Sequence, residues 1–460
     1  MPNAKRKKKG AERIFAAPAE ILDRGISAAA REEHALAQKK PIRRAGEYWS
    51  NLGPGLTTGA ADNDPSGIAA YSQAGAQYGF QLIWTSLFTF PFMATVQEMC
   101  ARIGIVSGRG LAANIKHHYS PGTLYGVTAL LFIANALNIA ADLGAMAAGA
   151  RLIFSTVSVE TLVVFFAFAS LLLQIFTSYA HYAKYLKYLT LALFSYAITA
   201  FAVHLDWAQV LHHTLIPSFT LTKGHVFIFA AILGTTISPY LFFWQTSQEV
   251  EKRVLHGETS IKLRRRNVNE REIKDMRTDV WSGMFFSNLI AFFIFAACAG
   301  TLYAHGITNI ASAADAAEAL RPFAGESAYL LFALGIIGTG LLAIPVLAGS
   351  TAYALAESFG WRYGLYRKLK QAYAFYGVII VSMLIGIIAN FVHLDPIKGL
   401  LYAAVANGIV SPVVLYFVVK ISKDKKVMGR HTSGNLTTLI GWFTTFVMLI
   451  SGVAAILSLF

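Results

Sequence analysis

The sequence predicts an all-α integral membrane protein that crosses the bilayer eleven times, and three observations carry that prediction. The 460-residue chain is 55% hydrophobic and only 14% charged, with a mean hydropathy of +0.50, far more apolar than a soluble domain can be. Its apolar residues gather into stretches of about 20, the length an α-helix needs to span the hydrocarbon core. Its Lys and Arg residues fall in alternate connections between those stretches, the distribution that orients a multi-spanning protein.

Taken in order, residues 1–46 form a basic tail rich in Ala, Lys and Glu, expected to be disordered and cytoplasmic, with no signal-peptide pattern at its start. Candidate spans then run near 51–77, 82–104, 121–153, 159–177, 184–204, 226–250, 278–303, 328–356, 371–393, 398–420 and 435–459. Connections carrying Arg102, Arg109 and Lys116, then Lys184 and Lys187, then Lys252 to Arg277, then Arg362, Arg367, Lys368 and Lys370 alternate with connections poor in Lys and Arg. This places the N-terminus in the cytoplasm and the C-terminus outside the cell, in the plasma membrane. It also accounts for the net charge of +14 without a nucleic-acid partner. Cys100 and Cys298 sit in apolar runs with no CxxC spacing, which makes them core fillers rather than metal or disulfide cysteines.

Two spans are interrupted where they should be most continuous. The first reads Thr57-Thr58-Gly59-Ala60-Ala61-Asp62-Asn63-Asp64-Pro65-Ser66-Gly67 and the sixth Gly234-Thr235-Thr236-Ile237-Ser238-Pro239-Tyr240. Proline removes a backbone donor and glycine relaxes the backbone, so both runs are expected to unwind. Ordinary proline kinks are the plainer alternative. Paired interruptions at the head of successive five-span groups instead point to a transport site between inverted repeats, here 47–205 and 225–421, followed by an eleventh helix at 435–460.

Chemistry concentrates in those interruptions. Asp64 is the leading candidate ligand, because an ionised carboxylate at mid-depth needs a cation or water, and Asp62 is either a second ligand or a support for the loop. Thr235, Thr236 and Ser238 offer hydroxyls and carbonyls, hard oxygens suited to Mg²⁺, Ca²⁺ or Mn²⁺, unless the hydroxyls bond back to their own helix. Neither interruption holds Met, Cys or His, and all twelve histidines lie in tails, loops or helix ends. Glu98, Asp142, Arg151 and Glu249 complete the expected buried ionisable groups, with Asp142 a protonation site, an ion-pathway residue or a structural aspartate.

The run from Gly53-Pro54 to Asp64-Pro65-Ser66-Gly67, then Gly75-Ala76-Gln77-Tyr78-Gly79-Phe80 and Ala101 to Gly108, resembles the Nramp metal transporters, whose first-helix signature is Asp-Pro-Gly-Asn. The resemblance extends over most of the chain. It implies the leucine-transporter fold, a five-plus-five inverted repeat with helices 1 and 6 broken, plus an eleventh helix. Departures from the family are specific: Gly67 stands for the signature Asn, Ser238-Pro239-Tyr240 for Met-Pro-His, Gln245 for a second histidine, and Ala145 for the partner of Asp142. That pattern resembles the Nramp-related magnesium transporter branch. It implies an Asp64 carboxylate ligand, backbone or hydroxyl oxygens from Ala61 and Thr235, and space for water beside Gly67 and Ser238. Asp62, Asn63, Asp142, Tyr240, Gln245 and Asn407 would line the pathway.

The function so implied is alternating-access movement of Mg²⁺ and Mn²⁺ without coupling to protons, by a monomer that needs lipid and its metal cargo but no cofactor. The competing readings are a proton-coupled Mn²⁺/Fe²⁺ transporter and a sodium-coupled organic-solute transporter of the same fold. An intramembrane aspartyl enzyme using Asp64 with Asp142 lacks the usual sequence contexts, and a passive channel differs by its turnover.

Overall fold

A computed structural model describes residues 53–177, 193–203, 205–310, 313–391 and 395–458, and it is helical throughout. The 1–46 tail, and residues 184–192 and 204 of the expected 184–204 span, lie outside the described residues. Helices α1 (Pro54–Asp62) and α2 (Pro65–Tyr78) are separated by Asn63 and Asp64, and α3 (Trp84–Ser107) and the short α4 (Leu111–His118) follow. Next come α5 (Pro121–Arg151), α6 (Val159–Phe176), α7 (Phe194–Ala202) and α8 (Trp207–Leu215). Helices α9 (Lys223–Thr236) and α10 (Pro239–Leu255) are separated by Ile237 and Ser238. The remainder comprises α11 (Ile261–Arg266), α12 (Glu270–Thr301), α13 (Ala313–Glu318), α14 (Arg321–Ala324), α15 (Ala328–Phe359), α16 (Tyr373–Asn390), α17 (Pro396–Lys423), α18 (Lys425–Met428) and α19 (Asn435–Ser458).

Local chemistry sets these boundaries. Ser120 caps α5 by accepting from Thr123 N, and Pro121 opens it, where its missing N–H costs nothing. Asp395 does the same for α17, ahead of Pro396. Asp64 caps α2 by accepting from Gly67 N, so one carboxylate both starts a helix and stands in the gap before it.

Among the described residues, eight stretches are long and apolar enough to cross a membrane: Pro121–Arg151, Val159–Phe176, Lys223–Leu255, Glu270–His305, Gly325–Phe359, Tyr373–Asn390, Ile397–Lys423 and Asn435–Ser458. The expected spans 51–77 and 82–104 are not among them. The first is divided between two short helices, and α3 carries Gln97, Glu98 and Arg102. The outer surface is apolar: Phe165, Phe168, Phe176, Ile388, Leu436 and Leu439 are all well exposed, which suits contact with lipid rather than water.

The interior is largely apolar as well, but it also gathers polar groups. Helix α5 packs against α15 and α17, while α12 packs against α1, α2 and α3. Glycines permit the closest approaches. A Cβ at Gly59 would fall 2.3 Å from Gly283 O, and one at Gly283 would fall 2.2 Å from Gly55 O, so α1 and α12 meet backbone to backbone. A Cβ at Gly234 would lie 2.0 Å from Ala404 O, placing α9 equally tightly on α17. Asp279 of α12 also accepts from Gly55 N at 2.8 Å and Leu56 N at 3.1 Å, satisfying donors that the first turn of α1 leaves over.

Candidate metal-ion site

Asp64 lies between the end of α1 and the start of α2 and is 1% exposed. Its Oδ1 accepts from Ser66 Oγ at 2.7 Å, Gly67 N at 2.8 Å and Thr235 Oγ1 at 3.4 Å. Its Oδ2 accepts from Asn138 Nδ2 at 2.9 Å and Tyr240 Oη at 3.4 Å. Helices α2, α5, α9 and α10 thus converge on one carboxylate. Among the described residues it has no Lys, Arg or His partner within ion-pair distance. Neutral donors solvate a buried anion without cancelling its charge, so the arrangement favours a cation.

The other expected residues divide into those near Asp64 and those away from it. Tyr240 also donates to Ala61 O at 3.3 Å, tying the last turn of α1 to α10 and directing that carbonyl to the same place. Asn407 donates to Asn138 Oδ1 at 3.4 Å, leaving its own buried Oδ1 without a partner. Asp142 is fully buried one helical turn beyond Asn138, and neither of its carboxylate oxygens has a hydrogen-bond partner. Asp62 turns the other way: its Oδ2 accepts from Ser287 Oγ of α12 at 2.5 Å, and Asn63 Nδ2 donates to the same hydroxyl at 3.1 Å. Gln245 lies further along α10, accepting from Thr58 Oγ1 at 2.6 Å and donating to Glu249 Oε1 at 3.0 Å.

One expectation needs correction, and two more concern groups that are otherwise engaged in this conformation. Arg151 is exposed, not buried, because α5 reaches the surface at its last residue. The space for water beside Gly67 is occupied in this conformation, since a Cβ there would meet Thr235 Oγ1 at 3.1 Å and Asp62 O at 3.4 Å. The Ser238 hydroxyl donates to Gly234 O and Thr235 O, both at 2.7 Å, so it is spent on the end of α9. Thr236 likewise bonds back to Ile232 O at 2.7 Å, and Thr235 alone of the three hydroxyls reaches Asp64.

Asn138, Ser66 and Ser287 escaped sequence reasoning. Asn138 had a usable signal: Asn135, Asn138 and Asp142 are spaced three and four apart and share one face of an otherwise apolar helix. Ser66 and Ser287 had none, because a single serine in a span is unremarkable until its neighbours are known. No group of three or more His, Cys, Asp and Glu side chains that could hold a metal occurs among the described residues. The donor set at Asp64 is therefore one carboxylate with carbonyl, hydroxyl and amide oxygens, and it contains neither sulfur nor imidazole.

Residues 55–458 match the sequence profile described as Nramp, natural resistance-associated macrophage protein-like. The chain belongs to the Nramp family. Nramp proteins are membrane transporters of divalent metal ions, so this chain is a multi-pass membrane transporter and not an enzyme. Its fold is similar to that of the Eremococcus coleocola manganese transporter in complex with an aromatic bis-isothiourea substituted compound, with a TM-score of 0.69 at 16% identity over 88% of this chain and 85% of that one. A single-substitution mutant of the same transporter aligns with a TM-score of 0.68 at 17% identity, over 88% and 85% of the two chains. Mhp1, a nucleobase-cation-symport-1 family transporter in a closed conformation with bromovinylhydantoin bound, aligns with a TM-score of 0.52 at 12% identity over 88% and 91%. The Nramp chain therefore shares a transporter fold that is not restricted to one cargo.

Proposed function

We propose that this Nramp protein moves Mg²⁺, and also Mn²⁺, across the plasma membrane by alternating access without coupling to protons. The observation that carries the proposal is the buried Asp64 carboxylate, set among neutral oxygen and amide groups with no thioether, thiol or imidazole. Mg²⁺ is a hard ion that keeps several waters and needs one or two carboxylates rather than a full protein cage. Mn²⁺ shares its preference for oxygen, and the printed cargo of the similar Eremococcus transporter supports including it. Asp64 would be the charged ligand, with Ala61 O and the Thr235 hydroxyl beside it and waters completing the shell.

In this reading α1 with α2, and α9 with α10, are the halves of two discontinuous spanning helices, the first and sixth of eleven. Ser238 lies in the second gap and Gly67 in the first turn of α2, and both open to water when the surrounding helices move. The N-terminus is cytoplasmic and the C-terminus extracellular, following the alternation of basic connections. The chain acts as a single copy of the Nramp-related magnesium-transporter type.

Uptake by purified protein in proteoliposomes tests this. Mg²⁺ entry should follow the metal gradient and an inside-negative potential, and should be the same with or without an imposed pH gradient. Metal-driven acidification of the lumen would reject the uncoupled mechanism. A second reading, proton-coupled transport of Mn²⁺ or Fe²⁺, has one observation in its favour: both oxygens of buried Asp142 lack a partner, as suits a group that takes up and releases a proton. Asp142→Asn separates the two, since it abolishes proton movement in the coupled mechanism and leaves the pH response flat in the uncoupled one.

A further inference from the structure

A cleft of about 200 Å³ lies between the end of α3 and the short helices α4, α11 and α18, lined by Ser107, Arg109, Asn114, His117, His118, Arg265, Lys426 and Val427. A water's share of liquid volume is about 30 Å³, so the cleft has room for a polyatomic group. Its floor is fixed: Asn114 is 1% exposed and donates to Ser107 Oγ at 2.9 Å, Arg109 O at 3.2 Å and Gly110 O at 2.9 Å. Next to it, Arg264 donates to Gly108 O at 3.0 Å, holding α11 against the end of α3 so that Arg265 faces the cleft.

The five basic lining side chains have no acidic counterpart. Among the described residues, Arg109, His117, His118, Arg265 and Lys426 make no ion pair. The nearby carboxylates serve backbone donors instead: Asp424 accepts from Lys426 N at 2.8 Å, and Glu357 accepts from Ala113 N at 2.9 Å. Burial, and then the charges of Arg109, His118 and Lys116, push the His117 imidazole below the usual histidine range. The charges of Arg109, Arg265 and Lys426, brought together from three elements, are relieved by an anion, and Arg together with Lys suits phosphate.

We propose that this cleft binds a phosphate-bearing anion, supplied either by a phospholipid headgroup or by a soluble phosphate compound. The site is separate from Asp64, and its charge is the same whatever cargo the protein carries. Binding should weaken with ionic strength, as expected for a solvent-accessible basic cleft.

The test uses the full chain in phosphatidylcholine nanodiscs. One arm adds phosphatidylinositol 4,5-bisphosphate to the nanodisc and counts retained lipid by native mass spectrometry; the other titrates inorganic phosphate and ATP by calorimetry. Binding in the lipid arm alone identifies a headgroup site, and binding in the soluble arm identifies a free-phosphate site; both support the proposal. The triple variant Arg109→Gln, Arg265→Gln, Lys426→Gln should weaken binding at least tenfold, while Lys274→Gln with Lys370→Gln, equally basic and exposed but elsewhere, should not. Arg265→Glu alone should weaken it in the same direction, which keeps the test decisive if the triple variant folds poorly. Absence of binding in both arms, or equal weakening by the Lys274 and Lys370 control, would overturn the proposal.

Discussion

Asp64 caps α2 and, in the proposed function, binds the ion, two jobs that ordinary substitutions separate. Asp64→Ala removes the charge and the cap of α2, and it strands the buried donors on Asn138 and Thr235, so it should abolish uptake and cost about 1–3 kcal/mol of stability. Asp64→Asn keeps a capping oxygen toward Gly67 N but turns its amide group toward the Asn138 and Tyr240 donors, so it should abolish uptake and lower the thermal midpoint less than Asp64→Ala does. Metal uptake together with thermal unfolding of the purified protein reads both; normal transport by Asp64→Asn would place the ion elsewhere. Ser287→Ala should cost about 1–3 kcal/mol, because it strips partners from Asp62 Oδ2 and Asn63 Nδ2 at once. An unchanged midpoint would mean that water satisfies both. At this scale the sequence pointed clearly to Asp64, whose cost in an apolar run is plain without coordinates. It left Asp62 open, because which way a carboxylate turns depends on Ser287, more than two hundred positions away. Ser238 was left open for a related reason: of the two fates of a hydroxyl one turn from free carbonyls, bonding back to them is the one seen here.

Between elements, contact by glycine is the dominant device. Gly283→Ala places a methyl 2.2 Å from Gly55 O, an approach that only backbone displacement can relieve. It should push α1 away from α12, costing about 1–3 kcal/mol as overpacking does, and should disturb the Asp279 bonds to Gly55 N and Leu56 N. Gly122→Ala meets nothing within 4 Å and serves as the neutral comparison. If both variants unfold at the same temperature, the α1–α12 contact has slack that the geometry does not show. Helix positions were readable from hydrophobic runs and from Pro and Gly punctuation. Which helices touch was not, since a glycine records only that something comes close and not what.

For the whole molecule, large apolar side chains cover the outside as well as the core, and composition alone was enough to foresee a protein that belongs in lipid. Its water-facing end is held by charges. Burial works to raise the pKa of Glu258, but hydrogen bonds from Arg253 and Asn267 and the charges of Arg253 and Arg264 outweigh it, leaving the carboxyl below its ordinary value. A lowered acid contributes stability that is present above its unfolded pKa and lost as pH falls through the folded one. Glu258→Gln should therefore destabilise the protein at neutral pH and lose its effect below the usual glutamate range; a midpoint difference that does not vary with pH would remove this ion pair from the account.

Crowding around Asp64 has a further consequence. A carboxylate offers roughly four lone-pair positions, and here five donors from four helices already compete for them. In the proposed function an arriving ion must evict some of these tenants, which belong to four helices, Ser66 and Gly67 sharing α2. Occupancy is thereby announced to the scaffold at the moment of capture, with no separate sensor required.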